Sequence, residues 1–247
     1  MTTRRILATS GGFLATDRWG VLTPGGLVRE ALRLTGVDRP RVCLVMTASG
    51  DDASYLARSY AALGAFGCDV DHLALFTMPN RDPEEVLARS DLVWVGGGSV
   101  ANLLALWRLH GVDTAMRAAW ERGTILAGVS AGSICWHVGG PTDSFGPTLQ
   151  LVTNGLGLLP YGNGVHYDSE AQRRPLLHRV VGEGLLPTSY ATDDRIGILY
   201  EGEEPVRVIA DLDVDPVDGP AAYRIERVGG QVVETRLPVG PMSLETL

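Results

Sequence analysis

Short apolar segments alternate with helix-like segments through the first half of the chain. Repeated strand–helix units predict an α/β fold with a doubly wound, mostly parallel sheet flanked by helices, and such sheets carry their sites at the carboxyl ends of the strands. The predicted strands are Ile6–Thr9, Val42–Thr47, Val70–Leu75, Leu92–Val95 and Thr124–Ala127. Apolar spacing and capping residues predict helices over Leu27–Leu34, Ser54–Phe66, a segment starting at Asp82-Pro83, Ser99–His110 and Asp113–Arg122.

The pattern changes after Trp136. The segment from Gly139 to Gly164 is rich in Gly, Pro, Asn and Thr and predicts an irregular stretch, whereas Glu170–Gly182 predicts a helix. Antiparallel strands are expected toward the C-terminus, at Ile196–Tyr200, Val206–Ala210, Ala222–Val228 and Gln231–Arg236. No linker divides the chain, so residues 1–247 are expected to form a single α/β domain.

Composition excludes several classes of function. The net charge is −8 and the arginines form no basic run, which argues against nucleic acid as a partner. No apolar stretch approaches the roughly 20 residues that span a bilayer, so no membrane partner is expected. The three cysteines include no CxxC pair and favour reduced thiols in a cytoplasmic protein. The oligomeric state stays open, a homodimer included.

The segment Gly128-Val129-Ser130-Ala131-Gly132 stands between a predicted strand and a predicted helix. A serine between two glycines on a sharp strand-to-helix turn is typical of a nucleophile elbow. The turn exposes the serine side chain, and small neighbours leave room for a substrate. The alternative is a tight turn that merely closes a buried strand. The pattern favours Ser130 as a nucleophile.

A nucleophilic serine needs a base, an acid that orients the base, and donors for the oxyanion. His166 lies in a loop of small residues that can present it, whereas His137 is about 10 Å along the predicted helix from Ser130. The orienting acid could be Asp143, Asp168 or Glu170, and spacing alone does not choose. In an elbow the amide of Ala131 is one oxyanion donor. The second would come from the glycine turn at 96–98 if the strands before the two turns are neighbours.

These residues resemble the peptidase E and cyanophycinase group of serine peptidases, which shares its fold with class I glutamine amidotransferases. The most specific matches are Val95-Gly96-Gly97-Gly98-Ser99, the segment Gly128–Ser133, and His166-Tyr167. The resemblance implies Ser130 as nucleophile, His166 as base, Asp143 as the third member of the triad, and Gly98 as the second oxyanion donor. No cofactor and no metal ion are expected.

The resemblance also implies hydrolysis of short peptides, and specifically dipeptides that begin with aspartate. In that group an arginine shortly after the histidine meets the substrate carboxylate. Glu170, Arg173 and Arg174 occupy this region, so Glu170 and Arg173 are predicted to contact substrate. Three alternatives remain: a cyanophycinase-like peptidase, a glutaminase that would use a cysteine such as Cys135, and a non-catalytic binding protein of the same fold.

Overall fold

The computed structural model describes residues 3–242, in which strands and helices alternate up to the elbow. The strands are β1 (Arg5–Thr9), β2 (Phe13–Ala15), β3 (Leu22–Pro24), β4 (Arg41–Val45), β5 (Asp69–Leu73), β6 (Leu92–Val95), β7 (Ile125–Val129), β8 (Gly140–Thr142), β9 (Gln150–Val152), β10 (Gly162–Gly164), β11 (Ser189–Thr192), β12 (Ile196–Glu201), β13 (Glu204–Ala210), β14 (Ala222–Val228), β15 (Gln231–Leu237) and β16 (Gly240–Pro241). The helices are α1 (Gly26–Leu34), α2 (Ala53–Ala65), α3 (Pro83–Arg89), α4 (Val100–Leu109), α5 (Val112–Arg122), α6 (Ala131–Ile134) and α7 (Arg173–Gly182).

The main sheet has eight strands in the order β16-β13-β12-β1-β7-β6-β4-β5. Strands β1, β7, β6, β4 and β5 run parallel, and β12, β13 and β16 add an antiparallel edge. The predicted doubly wound, mostly parallel sheet with antiparallel strands near the C-terminus is therefore confirmed. Strands β6 and β7 are neighbours, with Val95 opposite Gly128, so the two glycine turns emerge side by side.

Alternation along the parallel strands explains why helices cover both faces of the main sheet. In β6, Val93 and Val95 belong to the core beneath α3, α4 and α5, whereas Leu92 and Trp94 face the core beneath α1 and α2. Successive strand side chains point to opposite faces, so strands buried on both sides read as continuous apolar runs. This is the physical basis of the correct strand predictions in the first half.

Predicted helix starts are confirmed where a side chain caps the helix. Ser99 Oγ accepts a hydrogen bond from Asn102 N at 3.2 Å, and Asp82 Oδ1 accepts one from Glu85 N at 2.9 Å. Asp113 lies in the first turn of α5 rather than at its N-cap, which is Gly111. The left-handed conformation of Gly111, with φ +70°, explains this shift, because glycine adopts it without steric cost.

The segment from Gly139 to Gly164, which the sequence predicts to be irregular, contains three short strands. Its short strands β8 and β9 pair with each other, and β10 joins β11, β14 and β15 in a second sheet of four strands. Helix α7 packs on that sheet through Leu177 and Val180, which contact the cluster containing Ile225. Strands of only three or four residues carry too little periodicity to be recognised, so the sequence does not predict β10 or β11.

Candidate active site

Ser130 stands at the end of β7 in a conformation that few residues adopt. Its φ is 57° and its ψ is −113°, so its backbone lies in a sparsely populated region that costs on the order of 1–3 kcal/mol. The flanking glycines permit this turn: a β-carbon at Gly128 would lie 2.4 Å from Gly132 O, and one at Gly132 would lie 2.3 Å from Val95 O. The strand–turn–helix context that a nucleophile elbow requires is present.

The turn that follows β6 packs against Ser130. A β-carbon at Gly97 would lie 3.3 Å from Ser130 Cβ and 3.8 Å from Ser130 Oγ. Gly98 has φ +131°, and a β-carbon there would meet Ala48 O at 2.3 Å, so this turn requires glycine. Within the described chain the Gly98 N–H donates no hydrogen bond, and Ala131, as the first residue of α6, has no partner within the helix. Among residues 3–242, neither of the two predicted oxyanion donors has a hydrogen-bond partner for its amide.

His166 follows β10 and reaches the same edge of the molecule. Its Nδ1 lies 2.5 Å from Asp194 Oδ1, and its side chain is 23% exposed. Asp194 follows β11, and β10 and β11 are parallel neighbours, so their carboxyl ends deliver the histidine and the acid together. The end of β1 connects this pair with the elbow. The Ser130 N–H donates to Thr9 O at 3.1 Å, and the His166 N–H donates to Ser10 Oγ at 3.1 Å.

The structure places Asp194, rather than Asp143, at His166. Asp143 is exposed, and its carbonyl closes a turn by accepting from Gly146 N at 3.0 Å. Of the other two acids considered, Asp168 accepts from the Asp194 N–H at 2.9 Å and Glu170 pairs with Arg173. The sequence around Asp143 is rich in Pro, Ser and Gly, which favours a local turn at this position. The one sequence signal for Asp194 was a pair of adjacent aspartates after a short polar strand.

The Ser130 hydroxyl forms no hydrogen bond with the His166 ring among the described residues. The expected Ser130–His166 contact therefore stays a prediction. Catalytic hydrogen bonds are often long without substrate and tighten when it binds. What the structure supplies is a His–Asp pair at the elbow, with the nucleophile candidate partly exposed.

Cys135 and His137 are structural residues of the elbow. Both are fully buried; burial raises the pKa of the Cys135 thiol and lowers the pKa of His137 to about 4. The histidine is neutral at physiological pH, and its Nδ1 lies 2.9 Å from Ser133 O. A buried, protonated thiol cannot attack a substrate, so the geometry gives no support to a glutaminase that uses Cys135.

Glu170 and Arg173, the predicted substrate contacts, bind each other. Arg173 Nε lies 2.7 Å from Glu170 Oε2, and Arg173 also donates to Pro141 O. The Arg173 side chain is only 2% exposed, so its guanidinium joins α7 to β8 instead of facing a ligand. Arg174 is partly exposed, but its guanidinium lies over the rings of Tyr167 and Tyr223 and pairs with Glu234. These contacts do not fit a role in binding a substrate carboxylate.

Replacing Arg173 with methionine is expected to lower the free energy of unfolding by about 2 kcal/mol, because Pro141 O and Glu170 lose a charged donor. The KM for a short peptide should remain within about twofold, since the guanidinium faces inward. Urea unfolding and steady-state kinetics measure the two quantities. Arg179→Met, at an exposed position of the same helix, is the matched control. A large rise in KM with an unchanged free energy of unfolding would instead support Arg173 as a substrate-binding residue.

Comparison with known proteins identifies the family. The model of Peptidase family S51 matches residues 26–208, which include the elbow, the glycine turn, His166 and Asp194. The chain belongs to peptidase family S51. This confirms the resemblance inferred from the motifs and makes the chain a peptidase.

Relatives of this S51 peptidase agree in extent and fold. The uncharacterized peptidase YgaJ of Bacillus subtilis (strain 168) is 34% identical over 236 residues, which cover 96% of this chain and 98% of YgaJ. The crystal structure of a peptidase from an acI-B1 Actinobacterium superimposes with a TM-score of 0.72 at 14% identity, covering 98% of this chain and 97% of that one. A candidate peptidase E from Listeria monocytogenes EGD-e superimposes with a TM-score of 0.61 at 18% identity, covering 85% and 99%.

Among residues 3–242, no group of three or more His, Cys, Asp and Glu side chains has an arrangement that could hold a metal ion. None of the helices in this range combines the length and the apolar character needed to cross a bilayer.

Proposed function

We propose that this S51 peptidase is a serine exopeptidase that hydrolyses short peptides through Ser130, His166 and Asp194. The observation that carries the proposal is the 2.5 Å contact between His166 Nδ1 and Asp194 Oδ1 beside a strained serine elbow. A histidine whose Nδ1–H donates to a carboxylate leaves Nε2 free to accept a proton. This is the arrangement that a serine nucleophile needs from its base.

The proposed reaction has two halves. His166 Nε2 takes the proton of Ser130 Oγ as the oxygen attacks the scissile carbonyl, and the amides of Gly98 and Ala131 donate to the resulting oxyanion. Collapse of the tetrahedral intermediate breaks the C–N bond, and His166 returns the proton to the leaving amine. Water then attacks the acyl-enzyme with His166 again as base, which releases the acid product and regenerates Ser130. The Asp194 carboxylate orients the imidazole and stabilises the imidazolium whenever it forms.

A turn of the β8–β9 hairpin supports the restriction to short substrates. Ser144 Oγ accepts from Ala101 N at 3.3 Å, so the turn lies over the start of α4, just beyond the Gly97–Gly98 turn. On the other side Gln172 holds the turn through Leu149 N at 3.1 Å and Pro147 O at 3.0 Å. A segment anchored at both ends forms a wall rather than an open cleft. We infer that it closes one end of the site.

The charges near His166 favour one alternative substrate class. Asp168 and Asp194 are exposed or partly exposed, whereas Arg173 is buried. Acidic groups suit a substrate with a cationic end, such as a free α-amino group or an arginine side chain. A cyanophycinase-like substrate, in which arginine is joined to aspartate, therefore remains the second candidate.

The test of catalysis is labelling with a fluorophosphonate, which reacts with an activated serine. Mass spectrometry of the labelled protein is expected to place the adduct on Ser130. Preincubation with a substrate dipeptide should slow the labelling. Absence of an adduct on Ser130, in a protein shown to be folded by circular dichroism, would favour the alternative of a non-catalytic binding protein.

The test of substrate size compares casein with a panel of di- and tripeptides. We expect turnover of one or more short peptides and no internal cleavage of casein, because the β8–β9 turn blocks an extended chain. The panel includes Asp-Xaa dipeptides and a dipeptide in which arginine is linked to the aspartate side chain, which separates the two substrate classes. Efficient cleavage of casein without dipeptide turnover would reject the exopeptidase assignment.

A further inference from the structure

The end of β1 contacts all three segments that carry the proposed triad. Thr9 O accepts from the Ser130 N–H at 3.1 Å, and Ser10 Oγ accepts from the His166 N–H at 3.1 Å. The Ser10 backbone donates to Ile196 O at 2.8 Å and accepts from Arg195 N at 2.9 Å, which fixes the residues just after Asp194. β1 is a central strand of the main sheet, so this end is a rigid platform.

The Ser10 hydroxyl also binds the strand that leads to Asp194. Ser10 Oγ lies 2.6 Å from Thr192 Oγ1 and 3.1 Å from Thr192 O, and both side chains are buried. Thr192 O in turn accepts from the Tyr167 N–H at 3.1 Å. One hydroxyl therefore bridges the His166 loop, on β10, and the Asp194 loop, on β11.

The hydrogen-bonding capacity of this hydroxyl is used fully. Ser10 Oγ accepts from the His166 N–H and donates to Thr192 O, and because the hydroxyl carries one proton, Thr192 Oγ1 is then the donor of the 2.6 Å contact. His166 has φ +51°, a left-handed conformation that is uncommon outside glycine and needs support from its surroundings. The Ser10 bond to its N–H supplies that support.

We propose that Ser10 is a positioning residue that holds His166 in its left-handed conformation and keeps the imidazole aligned with both Asp194 and Ser130. The effect of Ser10 on the reaction rate rests on the proposed serine-peptidase function. Its effect on the geometry of His166 is independent of that function. Ser10 acts through the His166 backbone and Thr192, without contacting the reacting atoms.

The test is Ser10→Ala, with Ser59→Ala as the matched control. Ser59 is a fully buried serine on α2 whose hydroxyl has no hydrogen-bond partner in the described chain. In Ser10→Ala the rate of fluorophosphonate labelling at Ser130, and kcat for a short peptide, should fall about 10- to 100-fold, because small misplacements of a base cost this much. KM should stay within about twofold, and Ser59→Ala should match the unmodified protein in both measurements.

A spectroscopic signature separates positioning from a general loss of structure. The proton shared by His166 Nδ1 and Asp194 is expected to give a far-downfield ¹H NMR signal that Asp194→Asn abolishes. Ser10→Ala should broaden or remove this signal, whereas Ser59→Ala should retain it. If Ser10→Ala does not fold, Ser10→Cys keeps the size of the side chain with a weaker acceptor, and an intermediate loss of rate is expected.

A double-mutant cycle tests whether Ser10 and Asp194 act on the labelling rate through the same contact. If Ser10 acts through the His166–Asp194 pair, Ser10→Ala should cost less than about threefold in labelling rate when Asp194→Asn is already present. The proposal would be overturned if the two losses in labelling rate multiplied fully in the double variant. An unchanged downfield signal and an unchanged rate in Ser10→Ala would overturn it as well. Failure of the unmodified protein to label at Ser130, with the downfield signal present and sensitive to Ser10→Ala, would instead reject the peptidase mechanism and retain the positioning role.

Discussion

Replacing Ser130 with alanine is expected to lower kcat for short-peptide hydrolysis by about 10⁶-fold, because loss of a triad nucleophile has this cost in enzymes of this type. The fold should persist. Serine and alanine both carry a β-carbon, so the strained backbone with φ 57° is as costly in the variant as in the parent. Steady-state kinetics and thermal unfolding measure the two effects.

Ser169→Ala provides the control for this substitution. Ser169 is exposed, lies three residues after His166 and is expected to leave the rate unchanged. A Ser130→Ala protein that kept most of its peptidase activity, after removal of contaminating peptidases was verified, would eliminate the acyl-enzyme mechanism. It would leave the fold and the family membership untouched.

Replacing Asp194 with asparagine is expected to lower kcat by about 10⁴-fold, which is the effect of the same change at the orienting acid of a serine peptidase. The carboxylate accepts the Nδ1 proton and stabilises the imidazolium, whereas an amide can turn its NH₂ group toward Nδ1 and select the wrong tautomer. KM should change little. Because the Asp194 side chain is 41% exposed, a folding defect is expected to contribute little to the loss of kcat.

Asp143→Asn and Glu170→Gln are the informative comparisons for this result. Asp143 is exposed in a turn and Glu170 pairs with Arg173, so neither is expected to cost more than a few-fold in kcat. A loss of several orders of magnitude in Asp143→Asn, together with a mild effect in Asp194→Asn, would mean that the hairpin turn moves onto His166 when substrate binds. That outcome would reject Asp194 as the orienting acid.

Local sequence patterns were sufficient for the parallel half of the fold. A strand buried on both faces, such as β6, is apolar at every position, and helices α3 and α4 begin at the capping residues Asp82 and Ser99. These are requirements on neighbouring residues, so they are visible in the sequence. The elbow at Ser130 is local in the same sense, because only glycines tolerate the close contacts on either side of it.

The sequence by itself determined the parallel strands and their helices, the elbow and the candidate base, because each depends on residues adjacent in the chain. Only the tertiary structure placed an acid beside His166. Asp194 meets His166 because β10 and β11 pair in parallel and both end at the tip of β1, a contact made across 28 residues of chain. Those strands are short and rich in small or polar residues, and their burial comes from α7 and β14 rather than from any periodicity of their own. Pairing between such segments is set by packing, which leaves no local pattern to recognise.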